Sequence, residues 1–170
     1  MVKDSLLNAI NDQISNEMFS SNLYLAMAAY FQTMNLNGFA NWMRVQAQEE
    51  MTHALKFFDY LLQRNAQPKI GAIPSPQVSW ETPLACFQDA YAHEQKITAQ
   101  NNSIADIALK EGDHATWIML QWFITEQVEE EATSNEIVDR LTLAGDSKGG
   151  LFMLDNELKQ RKFVDATAKE

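Results

Sequence analysis

Gln48-Glu49-Glu50-Met51-Thr52-His53 lies in the middle of a stretch whose apolar residues recur at helical spacing. Glu50 and His53 stand three residues apart, so on a helix they share one face. That face is the one the neighbouring apolar residues mark as packed. Burying an ionised carboxylate among apolar partners is costly unless something positive meets it. A metal ion is an economical partner for a glutamate and a histidine at this spacing. Whether the pair is chemistry or accident depends on what the rest of the chain brings to the same place.

Outward from this point the whole sequence reads as helix, and no segment alternates in the manner of a strand. A first helix is expected from Asp4 to Asn35, with Leu6, Ile10, Ile14, Ser21, Tyr24, Ala28 and Phe31 on one stripe. Asn35-Leu36-Asn37-Gly38 supplies a short break. The second helix then runs from Phe39 to about Asn65. Pro68, Gly71, Pro74, Pro76 and Pro83 exclude helix from the following stretch. Thr82 caps the third helix with Pro83 in its first turn, and Gly112-Asp113 stops it and starts the fourth. Gly145 ends the fourth after Ala144, and Asp146-Ser147 caps a short fifth helix around Gly150 to Gln160, followed by a polar tail expected to fray.

Length decides the topology. A helix of about 27 residues is roughly 40 Å long at ~1.5 Å per residue. The Gln67–Glu81 segment, extended at ~3.3 Å per residue, reaches ~50 Å. It can therefore travel the full bundle and start the third helix at the end where the second began. The two short breaks instead enforce antiparallel neighbours. The expectation is an all-α, single-domain chain over residues 1–170: a four-helix bundle over about 4–144 with one long crossover loop, plus a short fifth C-terminal helix over about 147–160.

Each of the four long helices carries an anomaly on its apolar stripe. The first has Glu17 between Ile10, Ile14, Ser21 and Tyr24, and the second has Glu50 and His53 with Glu49 beside them. The third has Glu94, spaced from Phe87, Tyr91, Ile97 and Asn101 as a core position is. On the fourth, the stripe Leu120, Phe123, Gln127, Glu130, Ser134, Ile137, Leu141 contains Gln127 and Glu130, with Glu126 and Glu129 on an adjacent face. Taken alone, any one of these acids marks a partly exposed face, and Glu129-Glu130-Glu131 a solvated charge run. Tyr24 alone is a packing residue. Jointly they place carboxylates from four helices near mid-length, where mutual repulsion forces protonation or a bound cation. Oxygen ligands with one imidazole suit iron or manganese. Glu50 is placed to bridge two ions, which implies a dinuclear site.

Composition agrees. The 170 residues are 46% hydrophobic, ample for one core, and carry a net charge of −10. That charge argues against nucleic acid or an anionic membrane as partner. The apolar run from Leu23 to Phe31 is far too short to span a bilayer. The lone Cys86 cannot form an internal disulfide, and the start lacks the apolar core of a signal peptide. A cytoplasmic setting is expected.

With these residues in place, the chain resembles the non-haem bacterial ferritins over essentially its whole length. Gln48-Glu49-Glu50-Met51-Thr52-His53, His93-Glu94-Gln95, Glu126-Gln127 with Glu129-Glu130, and Leu143-Ala144-Gly145 carry the resemblance. It implies ferroxidase activity on Fe(II) with O2 or peroxide, and storage of ferric mineral in a hollow shell of twenty-four subunits. By position, Glu17, Glu50 and His53 hold the first iron. Glu50, Glu94 and Glu130 hold the second, with Gln127 near the oxygen-binding side. A third iron falls to Glu49, Glu126, Glu129 and Glu130, and Tyr24 matches a position of electron donation or hydrogen bonding. Glu130 stands where bacterioferritins and rubrerythrins have histidine. Met51 lies near where bacterioferritins place a haem ligand, but the other features imply the haem-free class, so no haem is expected. Trp117 and Leu120 replace the acidic pair of animal three-fold pores, so iron is expected to enter elsewhere. Leu151, Phe152, Leu154 and Leu158 are assigned to contacts between subunits. The competing readings are a di-iron peroxidase without a mineral store and a structural bundle with fortuitous acids.

Overall fold

The computed structural model describes residues 2–169. Among them the helices follow in the order α1 (Asp4–Thr33), α2 (Asn37–Gln63), α3 (Pro83–Glu111), α4 (His114–Ala144) and α5 (Lys148–Leu158), and a short 3-10 turn closes the chain at Ala166–Lys169. Helix starts and stops follow the side chains that satisfy their end groups. Thr82 accepts the Ala85 amide with Pro83 in the first turn, and Gly112 ends α3 at φ 71°, a conformation that costs glycine nothing. Asp113 accepts the Thr116 amide to start α4, and Ser147 accepts the Gly150 amide to start α5.

The start of α2 differs from expectation, because Asn37 and Gly38 are its first turn rather than a break. Its N-cap, Leu36, has no capping side chain. Instead Asp155 of α5 accepts the amides of Gly38 at 2.6 Å and Phe39 at 3.2 Å. The cap comes from 117 residues away, out of reach of local reading. Gly38 is needed for it: a Cβ there would meet the Asp155 carbonyl oxygen at 1.6 Å.

The crossover runs along α1, where Asn11 accepts the Lys69 amide at 2.7 Å and Ser15 the Gly71 amide at 2.9 Å. It delivers α3 to the end where α2 begins, so Phe87 lies against Phe31, Phe39 and Trp42. The result is the expected four-helix bundle with one long crossover and a short fifth helix.

Two apolar clusters fill the ends of the bundle. One gathers Phe31, Phe39, Trp42, Phe87, Ile137 and Leu141, the other Leu6, Ile10, Phe57, Leu61, Leu120 and Phe123. The buried polar residues of mid-bundle lie between them.

Two expectations about the C-terminus are corrected. Leu154 and Leu158 are buried in the first cluster with Leu151 packed against it, and only Phe152 and Met153 of this helix's large apolar residues stand exposed. The helix docks on its own subunit because its stripe continues the core. The tail, expected to fray, lies along α2: Asn41 donates to the carbonyls of Leu158 at 3.2 Å and Arg161 at 3.0 Å. No helix among the described residues is long and apolar enough to cross a membrane.

Candidate metal centre

Glu17, Glu50, Glu94, Gln127 and Glu130 arrive from four helices and are all buried, together with His53. The helical period puts them there: each occupies a stripe position where its neighbours one turn away are core. Ligand atoms of Glu17, Glu50 and His53 lie within 4.8 Å of one another, and so do those of His53, Glu126 and Glu130. His53 Nδ1 is 3.5 Å from Glu50 Oε2. The imidazole therefore joins the two groups. Glu94 stands slightly apart, accepting from the Tyr24 hydroxyl on one oxygen and from the Gln127 amide at 3.1 Å on the other.

Burial sets the electrostatics. It lifts Glu17 to about 8, assisted by the charge of Glu50. It lifts Glu130 to about 8 for the same two reasons. Glu94 is raised well above the ordinary carboxylate value by burial and by the charges of Glu50 and Glu130. Tyr24 is pushed up by burial and by Glu94, so it stays a hydroxyl donor. Burial also works against the charge on Glu50, yet the hydrogen bond and charge of His53 keep it ionised, below its ordinary value. His53 is the counterpart: burial disfavours its cation, but Glu50, with Glu17 and Glu130 behind it, lifts it to about 10. One imidazolium thus serves four buried carboxyls, and the rest hold protons. A divalent cation displaces those protons and supplies the missing charge.

One oxygen, Glu17 Oε2, is buried with no hydrogen-bond partner. The donor set, oxygen-rich with one imidazole, fits iron.

The residues assigned to a third iron are spread more widely. Glu126 is half-buried beside His53 and Glu130, whereas Glu129 is exposed. Glu49 is paired with Arg161.

The sequence reading missed two amides. Gln46 donates to Glu50 at 2.9 Å and to Glu130 at 2.7 Å, tying α2 to α4. Gln13 donates to Glu17 at 2.8 Å. Both stand four residues before a core glutamate, the spacing at which side chains on one helix meet. That repeated Gln-x-x-x-Glu spacing was the available signal. Arg161 was missed too, with no local signal to find it.

A bundle with one long crossover, a short fifth helix and a carboxylate-histidine layer at mid-length defines the ferritin-like class, and the Ferritin-like domain family matches residues 7–144. The bacterial non-heme ferritin of Bacteroides fragilis (strain 638R) is 45% identical over 95% of this chain and 100% of its own length. That of Staphylococcus haemolyticus (strain JCSC1435) is 39% identical over 96% of this chain and 98% of its own. Among solved structures, an engineered closed form of the Archaeoglobus fulgidus ferritin superposes with a TM-score of 0.95 at 43% identity, over 96% of this chain and 100% of that one. The chain belongs to the ferritin family, with non-haem bacterial ferritins as its relatives. Iron storage with ferroxidase activity is the function that comes with this membership.

Proposed function

We propose that the buried layer is a dinuclear centre at which two Fe(II) ions are oxidised by O2 before their storage as ferric mineral. Fe(II) is the substrate, and each ion gives up one electron, so O2 takes two. One observation carries the reading: carboxyls from four helices meet in a dry interior with one imidazole to balance them. Glu17, Glu50 and His53 hold one ion. Glu50 bridges to the second, which Glu94 and Glu130 complete. Gln127 orients Glu94 on the oxygen side, and Tyr24 holds the other oxygen of Glu94 through its hydroxyl. Glu49, Glu126 and Glu129, with Glu130, border a third position. The shell is assigned twenty-four copies of this chain, with the exposed Phe152 and Met153 in its contacts. The setting is cytoplasmic, in keeping with the single buried free thiol of Cys86.

Aerobic Fe(II) addition followed by electron microscopy tests this directly. Particles of shell size holding an electron-dense core are expected. Protein that stops at two or three irons per chain, or turns over peroxide as a dimer without a core, overturns the storage reading.

A further inference from the structure

The tail beyond α5 brings a guanidinium to the acidic edge of the centre. Arg161 Nη2 pairs with Glu49 Oε2 and donates to Gln46 Oε1 at 2.8 Å. Its Nη1 donates to the Trp42 carbonyl at 3.3 Å, and its Cζ lies 4.3 Å over the Trp42 ring. Asn41 fastens the backbone on which it is mounted, by way of the Leu158 and Arg161 carbonyls. The side chain is therefore held on several sides. Gln46 in turn donates to Glu50 and Glu130, so only one amide stands between Arg161 and the ligands of the inner ions.

We propose that Arg161 is a resident cation that occupies Glu49 in place of a third metal ion, and so limits the centre to two. The proposal rests on the reading of the layer as an iron centre. Its reasoning is local. A carboxylate oxygen engaged by a guanidinium is not free to ligate, and a second cation brought within about 4 Å of that guanidinium is repelled by it. Fastening the tail does not require this charge, since Asn41 does so through backbone carbonyls. The planar fork of arginine serves Glu49 and Gln46 from Nη2 and the Trp42 carbonyl from Nη1, in a way a lysine ammonium does not. A third ion enters when the tail lets go of Glu49.

Anaerobic Zn(II) titration of the assembled full-length protein, by calorimetry, measures the number of ions without any oxidation. The wild type is expected to bind two per chain. Arg161→Gln is expected to bind three, the third roughly tenfold or more tighter than any third event in the wild type. Arg140→Gln removes the same charge from the pair with Glu157 and is expected to leave the number at two. Hydrogen exchange of residues 159–161, whose amides donate to Asp155, Glu157 and Leu158, gives a measurement on the wild type that needs no variant. Protection is expected to persist through two equivalents and to fall only as excess zinc displaces Arg161.

Equal stoichiometry in wild type and Arg161→Gln overturns the proposal, as does a third zinc bound by the wild type with the tail still protected. A wild type that takes up no zinc on Glu17, Glu50 and His53 overturns the centre itself, which is a different result.

Discussion

Two clusters in this bundle draw carboxylates out of solvent, one partly and one fully, and they do so on opposite terms. At the end of α2, Asp113 caps α4 and meets Arg64 in a two-pronged pair, Nη1 to Oδ1 at 2.9 Å and Nη2 to Oδ2 at 2.8 Å. Tyr60 and Thr116 complete that cluster. The Arg64 hydrogen bonds overcome partial burial and hold the Asp113 carboxyl down at about 2. In the middle of the bundle, Glu17, Glu94 and Glu130 are pushed the other way, because burial and Glu50 act on them with a single imidazole in reply. A carboxylate matched by the protein's own cation belongs to the scaffold. A carboxylate left unmatched by the protein is waiting for a cation from outside.

The largest effect expected from this contrast is on catalysis. Glu50→Ala removes the proposed bridge between the two ions and His53→Ala the one imidazole of the layer, and in each the initial rate of Fe(II) oxidation is expected to fall about 100-fold or more. Helix content and assembly of the metal-free protein are expected to be kept, since the two apolar clusters at the ends of the bundle do not include these groups. Stopped-flow absorbance of the ferric product reads the rate, and light scattering the assembly. A variant that keeps its rate removes the middle layer from the chemistry.

Asp113→Ala probes the other region, and its effect is expected on stability alone. It loses a cap and leaves Arg64 unpaired, together about 2–3 kcal/mol. Because Asp113 in the folded protein sits at about 2, below its ordinary 3.8, the pair stabilises the fold above about pH 4. That contribution fades as pH falls toward 2. The gap between wild type and variant in urea unfolding is thus expected to be full near neutrality and to close in acid. Fe(II) oxidation is expected to be unaffected. A gap that widens in acid contradicts the assignment of the pair.

Glu17→Gln tests the middle layer in the reverse sense. Without metal, exchange of a carboxyl that has an orphaned oxygen for a neutral amide is expected to stabilise the protein by roughly 1–2 kcal/mol. The thermal gain on adding Zn(II) is expected to shrink. If the metal-free variant melts lower instead, the layer is part of the scaffold after all.

The same contrast explains what the sequence made legible. Helix starts at Thr82, Asp113 and Ser147 were readable because each cap lies within the first turn it serves. The four glutamates were readable because each breaks a periodic stripe. Gln46 and Gln13 escaped notice because an amide on a helix face offends no pattern, and their role appears only once Glu130 and Glu17 are in place. The cap of α2 by Asp155 and the docking of Arg161 on Glu49 join residues more than a hundred positions apart. Nothing within one turn announces either. A shared helix face and the family resemblance also grouped Glu126 and Glu129, which exposure then separates.

That separation gives the smallest expected effect and the sharpest distinction. Glu126 reaches His53 and Glu130, whereas Glu129 is exposed and touches the layer only through its charge on Glu126. Exposed charges at such range are screened by solvent and contribute little. Glu129→Gln is therefore expected to leave two-ion Zn(II) binding and the oxidation rate within about twofold of the wild type. Glu126→Gln, which removes an oxygen beside both His53 and Glu130, is expected to weaken two-ion Zn(II) binding by about tenfold. Side-by-side calorimetry of the two variants decides it. Equal losses mean that the exposed acid is drawn inward by the metal, and the boundary between surface and centre then lies one helical turn farther out.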